Sequence, residues 1–208
     1  MKVKVCGITS LEDALAAAGE GVDALGFNFY PPSPRYVDPE TVRGIIAHLP
    51  PFVARVGLFV NVPEPREVDR IARAATVQVL QLHGDETPEY CRELSAWPLV
   101  KVLRIGEGSV PGGFERYPVS AFLLDARDEN LFGGTGRTFD WGLAAQVHRL
   151  RPIILAGGLN PRNVADAIRT VRPYAVDVCS GVERSPGKKD PSELRAFMRE
   201  VNHACENL

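Results

Sequence analysis

Cysteine is scarce in this chain and scattered where it occurs. Cys6, Cys91, Cys179 and Cys205 show no CxxC spacing, and no His stands at a zinc-finger interval from them. That excludes the common structural zinc motifs. Four cysteines in 208 residues are also too few for a disulfide scaffold, so reduced thiols in a cytoplasmic protein are expected. No run of eighteen apolar residues occurs, so no membrane-spanning helix is expected. Neither sign of charge is in excess: a net charge of -2 and a pI near 6.1 leave no basic footprint for nucleic acid. The N-terminus enters an apolar strand at once, without the charged start and apolar core of a secretory signal. There is no low-complexity tract or break in composition, and one domain over residues 1–208 is expected.

What the chain has is apolar residues, 45% of the total, enough for a substantial core. Arginine outnumbers lysine nineteen to five and there are seventeen prolines, a bias that thermophily or GC-rich coding would each produce. Short runs rich in Val, Ile, Leu and Phe fall at about residues 2–6, 23–29, 53–60, 77–82, 99–105, 119–125, 152–156 and 174–179. They have the length and continuity of strands buried on both faces. Amphipathic segments lie between them. Ser10 with Asp13 reads as a capping box. Asp38-Pro39, Asn160-Pro161 and Asp190-Pro191 each set a capping residue before a proline at the first helical position. Asp140 is placed to cap a helix holding Leu143 and Val147. The fifth helix, near residues 109–117, is compromised by Pro111-Gly112-Gly113.

Eight strands alternating with about eight helices allow a (β/α)8 barrel or an open doubly wound sheet. The count of eight favours the α/β barrel of TIM type. Its active site would sit at the C-terminal ends of the strands. Cys6, Asn28, Asn61, His83, Arg104, Asp125, Gly157-Gly158 and Asp177 stand at those ends. Among them a thiol, Cys6, and a carboxylate, Asp125, each close an apolar strand, the parts of an acid/base pair if the fold brings them together.

The run Leu155-Ala156-Gly157-Gly158-Leu159-Asn160-Pro161 is a strand, a glycine pair and a helix start. After the last strand, Ser180-Gly181 offers further free amides. Phosphate sites in such barrels use the loops after strands seven and eight, so Gly157, Gly158, Ser180 and Gly181 form the candidate phosphate cradle. The alternative for the glycine pair is a tight turn with no ligand. Gly133-Gly134-Thr135-Gly136-Arg137-Thr138 does not fit a dinucleotide fingerprint, because Phe139 occupies the third glycine position. A loop closing over the site suits it better.

In order along the chain, Lys4-Val5-Cys6-Gly7-Ile8-Thr9, Gly26-Phe27-Asn28-Phe29 with Ser33-Pro34-Arg35, Gln81-Leu82-His83-Gly84 and Leu124-Asp125 are followed by more such stretches. These are Gly133-Gly134-Thr135-Gly136 with Phe139-Asp140-Trp141, Leu155-Ala156-Gly157-Gly158-Leu159 and Asp177-Val178-Cys179-Ser180-Gly181-Val182-Glu183. The ordered set resembles the phosphoribosylanthranilate isomerases of tryptophan biosynthesis over essentially the whole chain. The resemblance implies an Amadori rearrangement of N-(5'-phosphoribosyl)anthranilate, with no cofactor and no metal. It implies Asp125 as the acid that protonates the ring oxygen, for which a raised pKa would serve. It implies Cys6 as the base for the C2 proton. A free thiol with a pKa of about 8.5 needs some depression for that task. Strand alternation puts Lys4 on the face of Cys6, where its charge could supply it.

Arg35, in a proline-stiffened loop, is the implied clamp for the anthranilate carboxylate. His83 and Asp177 are implied lesser substrate contacts, with a structural role for His83 nearly as well supported. Cys91, His48, His148 and Cys205 fall on helical segments and carry no assigned chemistry. Competing readings are another phosphate-binding barrel enzyme, such as indole-glycerol-phosphate synthase, and a barrel that binds a phosphorylated metabolite without catalysis. The synthase would need a lysine at a strand end, and Lys101 lies inside its strand. A small-molecule phosphorylated substrate is the expected partner. Monomer and homodimer both remain open.

Overall fold

A computed structural model describes residues 1–105, 112–126 and 151–206. Eight parallel strands close into a barrel in the order β1 to β8: Lys2–Val5, Ala24–Asn28, Ala54–Phe59, Val79–Leu82, Leu99–Ile105, Ala121–Ala126, Ile153–Leu155 and Ala175–Val178. All eight expected strands are present. The barrel closes where β1 pairs with β8, with Lys4 level with Asp177 and Val5 level with Val178. The α/β barrel is therefore the architecture, and the open sheet is excluded.

Six α-helices lie among the described residues: α1 Leu11–Gly19, α2 Pro39–Ile46, α3 Pro65–Ala75, α4 Pro88–Glu93, α5 Val164–Val171 and α6 Pro191–Glu206. None is long and apolar enough to cross a membrane. The capping residues act largely as their chemistry suggests. Ser10 accepts from the Asp13 N–H, and Asp38 accepts from the Glu40 and Thr41 N–H groups. Asp190 takes the Ser192 and Glu193 N–H groups at the start of α6. The Asn160-Pro161 expectation needs correction. A turn runs from residue 161 to 163 and the helix begins only at Val164, because the Asn160 side chain closes that turn by accepting from the Arg162 N–H.

The expected fifth helix is also corrected. In its described part the link from β5 to β6 holds only a three-residue 3-10 turn, Phe114–Arg116, whose Phe114 packs edge-on against Phe122. The glycine-rich loop of residues 133–138 and the helix capped by Asp140 lie outside the described residues, as does His148. His48 lies in the turn just after α2.

Alternation along each strand sorts the side chains into two layers. One set, with Val3, Val5, Phe27, Leu80 and Val176, packs against helix residues such as Ala14, Val68, Ile168 and Phe197. The other, with Val100, Val102, Ala121, Leu123, Ile154 and Ala175, fills the barrel interior as an apolar floor. Above that floor Asn28, Gln81, His83, Asp125 and Asp177 bring polar side chains to the mouth. After β8 the chain forms an addition that the strand pattern did not suggest, an antiparallel hairpin of β9 (Glu183–Ser185) and β10 (Lys188–Lys189).

Candidate active site

A cavity of about 360 Å³ opens at the C-terminal end of the barrel. Cys6, Arg35, His83, Asp125, Gly157, Gly158, Asp177 and Ser180 all line it, so eight of the nine residues singled out in the sequence meet in one place. Gly181 is the ninth and lies just behind. A Cβ there would collide with the Leu159 carbonyl oxygen, so glycine lets the turn after β8 press against the turn after β7.

Cys6 sits at the end of β1, where its N–H donates to the Val178 carbonyl at 2.9 Å. Its thiol is held well below the usual thiol range. Hydrogen bonding from the neighbouring Cys179 thiol contributes most; burial opposes it, and the Lys4 and Lys189 charges reinforce it. Cys179 is pushed the other way, because a thiol donating to Cys6 must keep its proton, and burial adds to this. Lys4 thus acts in the direction its place on the strand suggested. No chemistry was expected of Cys179 or Lys189: the first stood in the Asp177-to-Glu183 stretch without a role of its own, and the second reaches the site only through the hairpin.

Lys4 is paired with Asp177, Nζ to Oδ1 at 2.9 Å, and both side chains are buried. Burial nevertheless pushes the Asp177 carboxyl up to about 7, with Lys4 pulling it down and the Cys6 charge adding to the rise. Asp125 is the penultimate residue of β6, and its Oδ2 lies 3.3 Å from His83 Nε2 without hydrogen-bond alignment. His83 Nδ1 contacts Gln81 Nε2 at 3.2 Å. Gln81 Oε1 and His83 Nε2 are buried without a hydrogen-bond partner among the described residues, and both side chains face the cavity. Such atoms cost free energy unless a ligand meets them. Gln81 stood in the Gln81-Leu82-His83-Gly84 stretch without a role of its own, one pleat below His83.

Arg35 is delivered by the loop after β2. The Asn28 amide donates to Ser33 Oγ at 3.0 Å and accepts from the Tyr30 N–H at 2.9 Å; Ser33 Oγ in turn accepts from the Arg35 N–H at 3.1 Å. The guanidinium is two-pronged on Glu183, with Nη2 to Oε2 at 2.7 Å and Nε to Oε1 at 3.0 Å. That pair uses the side edge of the fork, and the remaining donors of its end face are available to a ligand carboxylate.

Gly157 and Gly158 have φ of 82° and 66°, a consecutive left-handed pair that residues with a Cβ adopt only under strain. Asn160 and Asn163 both donate to the Gly158 carbonyl, at 3.1 and 3.0 Å, which locks the turn. Two other residues marked as polar strand ends serve the wall. Asn61 donates its N–H to Glu86 at 2.9 Å and Arg104 pairs with Asp85 at 3.1 Å, tying the loops after β3 and β4 to the end of β5. A thiol inclined to ionise, a carboxyl across from it, a guanidinium and an amide-lined turn around one cavity suit proton transfer on a phosphorylated carboxylate substrate.

Comparison with known proteins points the same way. Residues 3–200 match the family model for N-(5'-phosphoribosyl)anthranilate (PRA) isomerase. An N-(5'-phosphoribosyl)anthranilate isomerase of Geobacter sulfurreducens is 51% identical over 199 residues, covering 96% of this chain and 97% of that protein. A crystal structure of phosphoribosyl anthranilate isomerase in complex with reduced 1-(o-carboxyphenylamino)-1-deoxyribulose 5-phosphate is 40% identical, with a TM-score of 0.84 over 98% of this chain and 99% of the other. A structure of monomers generated from the dimeric phosphoribosylanthranilate isomerase of Thermotoga maritima is 40% identical, with a TM-score of 0.82 and the same coverage.

Proposed function

This chain belongs to the N-(5'-phosphoribosyl)anthranilate isomerase family, and we propose that Cys6 and Asp125 are the base and acid of its reaction. The enzyme converts N-(5'-phosphoribosyl)anthranilate into 1-(2-carboxyphenylamino)-1-deoxyribulose 5-phosphate in tryptophan biosynthesis. The reaction is an Amadori rearrangement, in which an aldosylamine becomes an aminoketose with no net change in atoms or electrons.

The chemistry assigns the groups. The furanose opens as the nitrogen lone pair forms a protonated imine and the ring oxygen leaves, taking a proton from Asp125. Cys6 then removes the C2 proton, whose electron pair flows toward the imine nitrogen to give an enolamine. Tautomerisation of the enolamine yields the ketone. Base and acid act on different atoms, so the two groups need to flank the substrate and not to bond to each other. The single observation that carries this reading is that Cys6 and Asp125 line one cavity with Arg35 and the Gly157-Gly158 turn.

In this reading the end face of Arg35 grips the anthranilate carboxylate. The N–H groups of Gly157, Gly158 and Ser180 hold the phosphate, and Gly181 lets their two turns close together. His83, Gln81 and Asp177 meet the sugar hydroxyls. An isomerase assay on freshly generated phosphoribosylanthranilate, followed by loss of its fluorescence, tests the activity. No turnover by folded enzyme would refute it.

We also place the enzyme in the cytoplasm as a homodimer. The described structure's four free cysteines suit a reducing compartment. Phe52, in the loop between α2 and β3, is 97% exposed, an apolar side chain that a second copy would cover. Sedimentation at micromolar concentration would show a dimer, and a monomer at every concentration would refute that assembly.

A further inference from the structure

The β9–β10 hairpin forms no part of the barrel wall, yet it carries Lys189 to the place where β1 and β8 end side by side. The Lys189 ammonium is fully buried. It donates to the backbone carbonyl of Cys6, to that of Cys179 at 3.3 Å and to Glu183 Oε1 at 2.9 Å. Glu183 is 3% exposed and has no solvent to share its charge with. Besides Lys189 it takes both prongs of Arg35 and the Gly187 N–H at 3.4 Å, and the Cys179 sulfur lies 3.8 Å from its Oε1.

The hairpin is fixed from outside. Thr9 Oγ1 donates to the Gly187 carbonyl at 2.6 Å and the Lys189 N–H donates to Asp13 at 3.2 Å. Asp13 does not reach back to Ser10 as a full capping box would; its carboxylate is committed to the hairpin.

Resting on the reading of Cys6 as the base, we propose that Glu183 and Lys189 are positioning residues, Lys189 holding the Cys6 sulfur ready to accept a proton and Glu183 holding Arg35 aimed at the substrate's carboxylate. One buried carboxylate then sets both the grip on the aromatic end of the substrate and the environment of the base.

Charge balance supports this. Lys4 is matched by Asp177, whereas Arg35 and Lys189 share the single carboxylate Glu183. Three cations against two carboxylates leave these five groups with one positive charge in excess, and a Cys6 thiolate neutralises it. Asp125 and His83 face Cys6 from across the cavity on β6 and just beyond β4. Burial pushes the Glu183 carboxyl up, but Arg35 and Lys189 outweigh it and hold it below the ordinary carboxylate range. Glu183 therefore stays charged throughout the working pH range.

The test is the pH dependence of Cys6 alkylation by iodoacetamide, read at the Cys6 peptide by mass spectrometry, beside kcat/KM profiles. Lys189→Met removes a cation and should move the alkylation inflection up by about one pH unit, with the acid limb of kcat/KM following. Glu183→Gln removes an anion and should move the inflection down, while KM rises about tenfold as Arg35 loses its anchor. A merely structural lesion would move both variants the same way. Shifts in the same direction, or none, would overturn the proposal. If Lys189→Met does not fold, Glu183→Gln decides alone: a downward shift supports the proposal and an unmoved inflection overturns it. Full turnover in Cys6→Ala would instead sink the base assignment, a result the alkylation profiles do not share.

Discussion

Lys101 and Lys189 are both ammonium groups sealed inside the molecule, and each meets two backbone carbonyls and one carboxylate. Lys101 donates to the Leu82 carbonyl at 3.3 Å, the Gly84 carbonyl at 2.7 Å and Glu86 at 3.0 Å. Lys189 has the same arrangement with Cys6, Cys179 and Glu183. The difference lies one step further out. Glu86 spends its remaining capacity on the N–H groups of Asn61 and Gly84, so charge and hydrogen bonds close upon themselves. Glu183 spends its own on the Gly187 N–H and on Arg35, which lines the cavity, with the Cys179 sulfur 3.8 Å away. One cage ties loops together; the other has an unbalanced charge that an ionisable sulfur can fill. What distinguishes a functional buried ion pair from a structural one is therefore its next neighbour.

The comparison is most exposed to Lys101→Met. Leaving Glu86 charged and buried should cost about 3–5 kcal/mol in urea unfolding, while kcat/KM per folded molecule stays within about threefold of the parent. A collapse of activity at full stability would erase the distinction between the two cages. On the other side, Gly26→Ala puts a methyl group 2.8 Å from Cys6 Sγ. A misplaced base should lower kcat by about 10- to 100-fold with a smaller loss of stability, as steady-state kinetics and thermal melts would show.

Arg35→Lys keeps the charge but cannot make the two-pronged pair with Glu183. KM is expected to rise about tenfold with kcat changed less than about threefold, and an unchanged KM would argue that Arg35 does not touch substrate. A pH dependence follows from Asp177, whose folded pKa of about 7 lies above its ordinary value of 3.8. The folded state then binds a proton that the unfolded chain has already released. The resulting stability is fully present below the ordinary value and is lost as pH rises through about 7. Denaturant unfolding of the parent relative to Asp177→Asn should show that decline, and a flat difference would contradict it.

How much of this was legible in the sequence depended on whether the signal was local. Strands such as Phe122-Leu123-Leu124 announce themselves, and the rule that barrel sites sit at strand ends then gathers Cys6, Asp125 and Asp177 without any contact being known. Lys4 was legible for the same reason, since alternation is a property of one strand. Cys179 was hidden because its meaning comes from the closing register of β1 with β8. Lys189 was hidden because a hairpin three residues on one side and two on the other leaves no periodic trace. The pairing of Arg35 with Glu183 spans 148 residues and could come only from the fold. Asn160-Pro161 misled because a side chain closing its own turn competes with the helix start it resembles.

The central claim is that Cys6 and Asp125 flank the substrate as base and acid. Single-turnover kinetics of Cys6→Ala and Asp125→Asn on fresh phosphoribosylanthranilate test it most directly, with binding of the reduced product analogue measured alongside. General acid/base catalysis of this kind contributes about 10²- to 10⁴-fold. Each variant should lose that much in rate while the analogue binds within about threefold of the parent. A rate near the parent's in either variant would contradict the account.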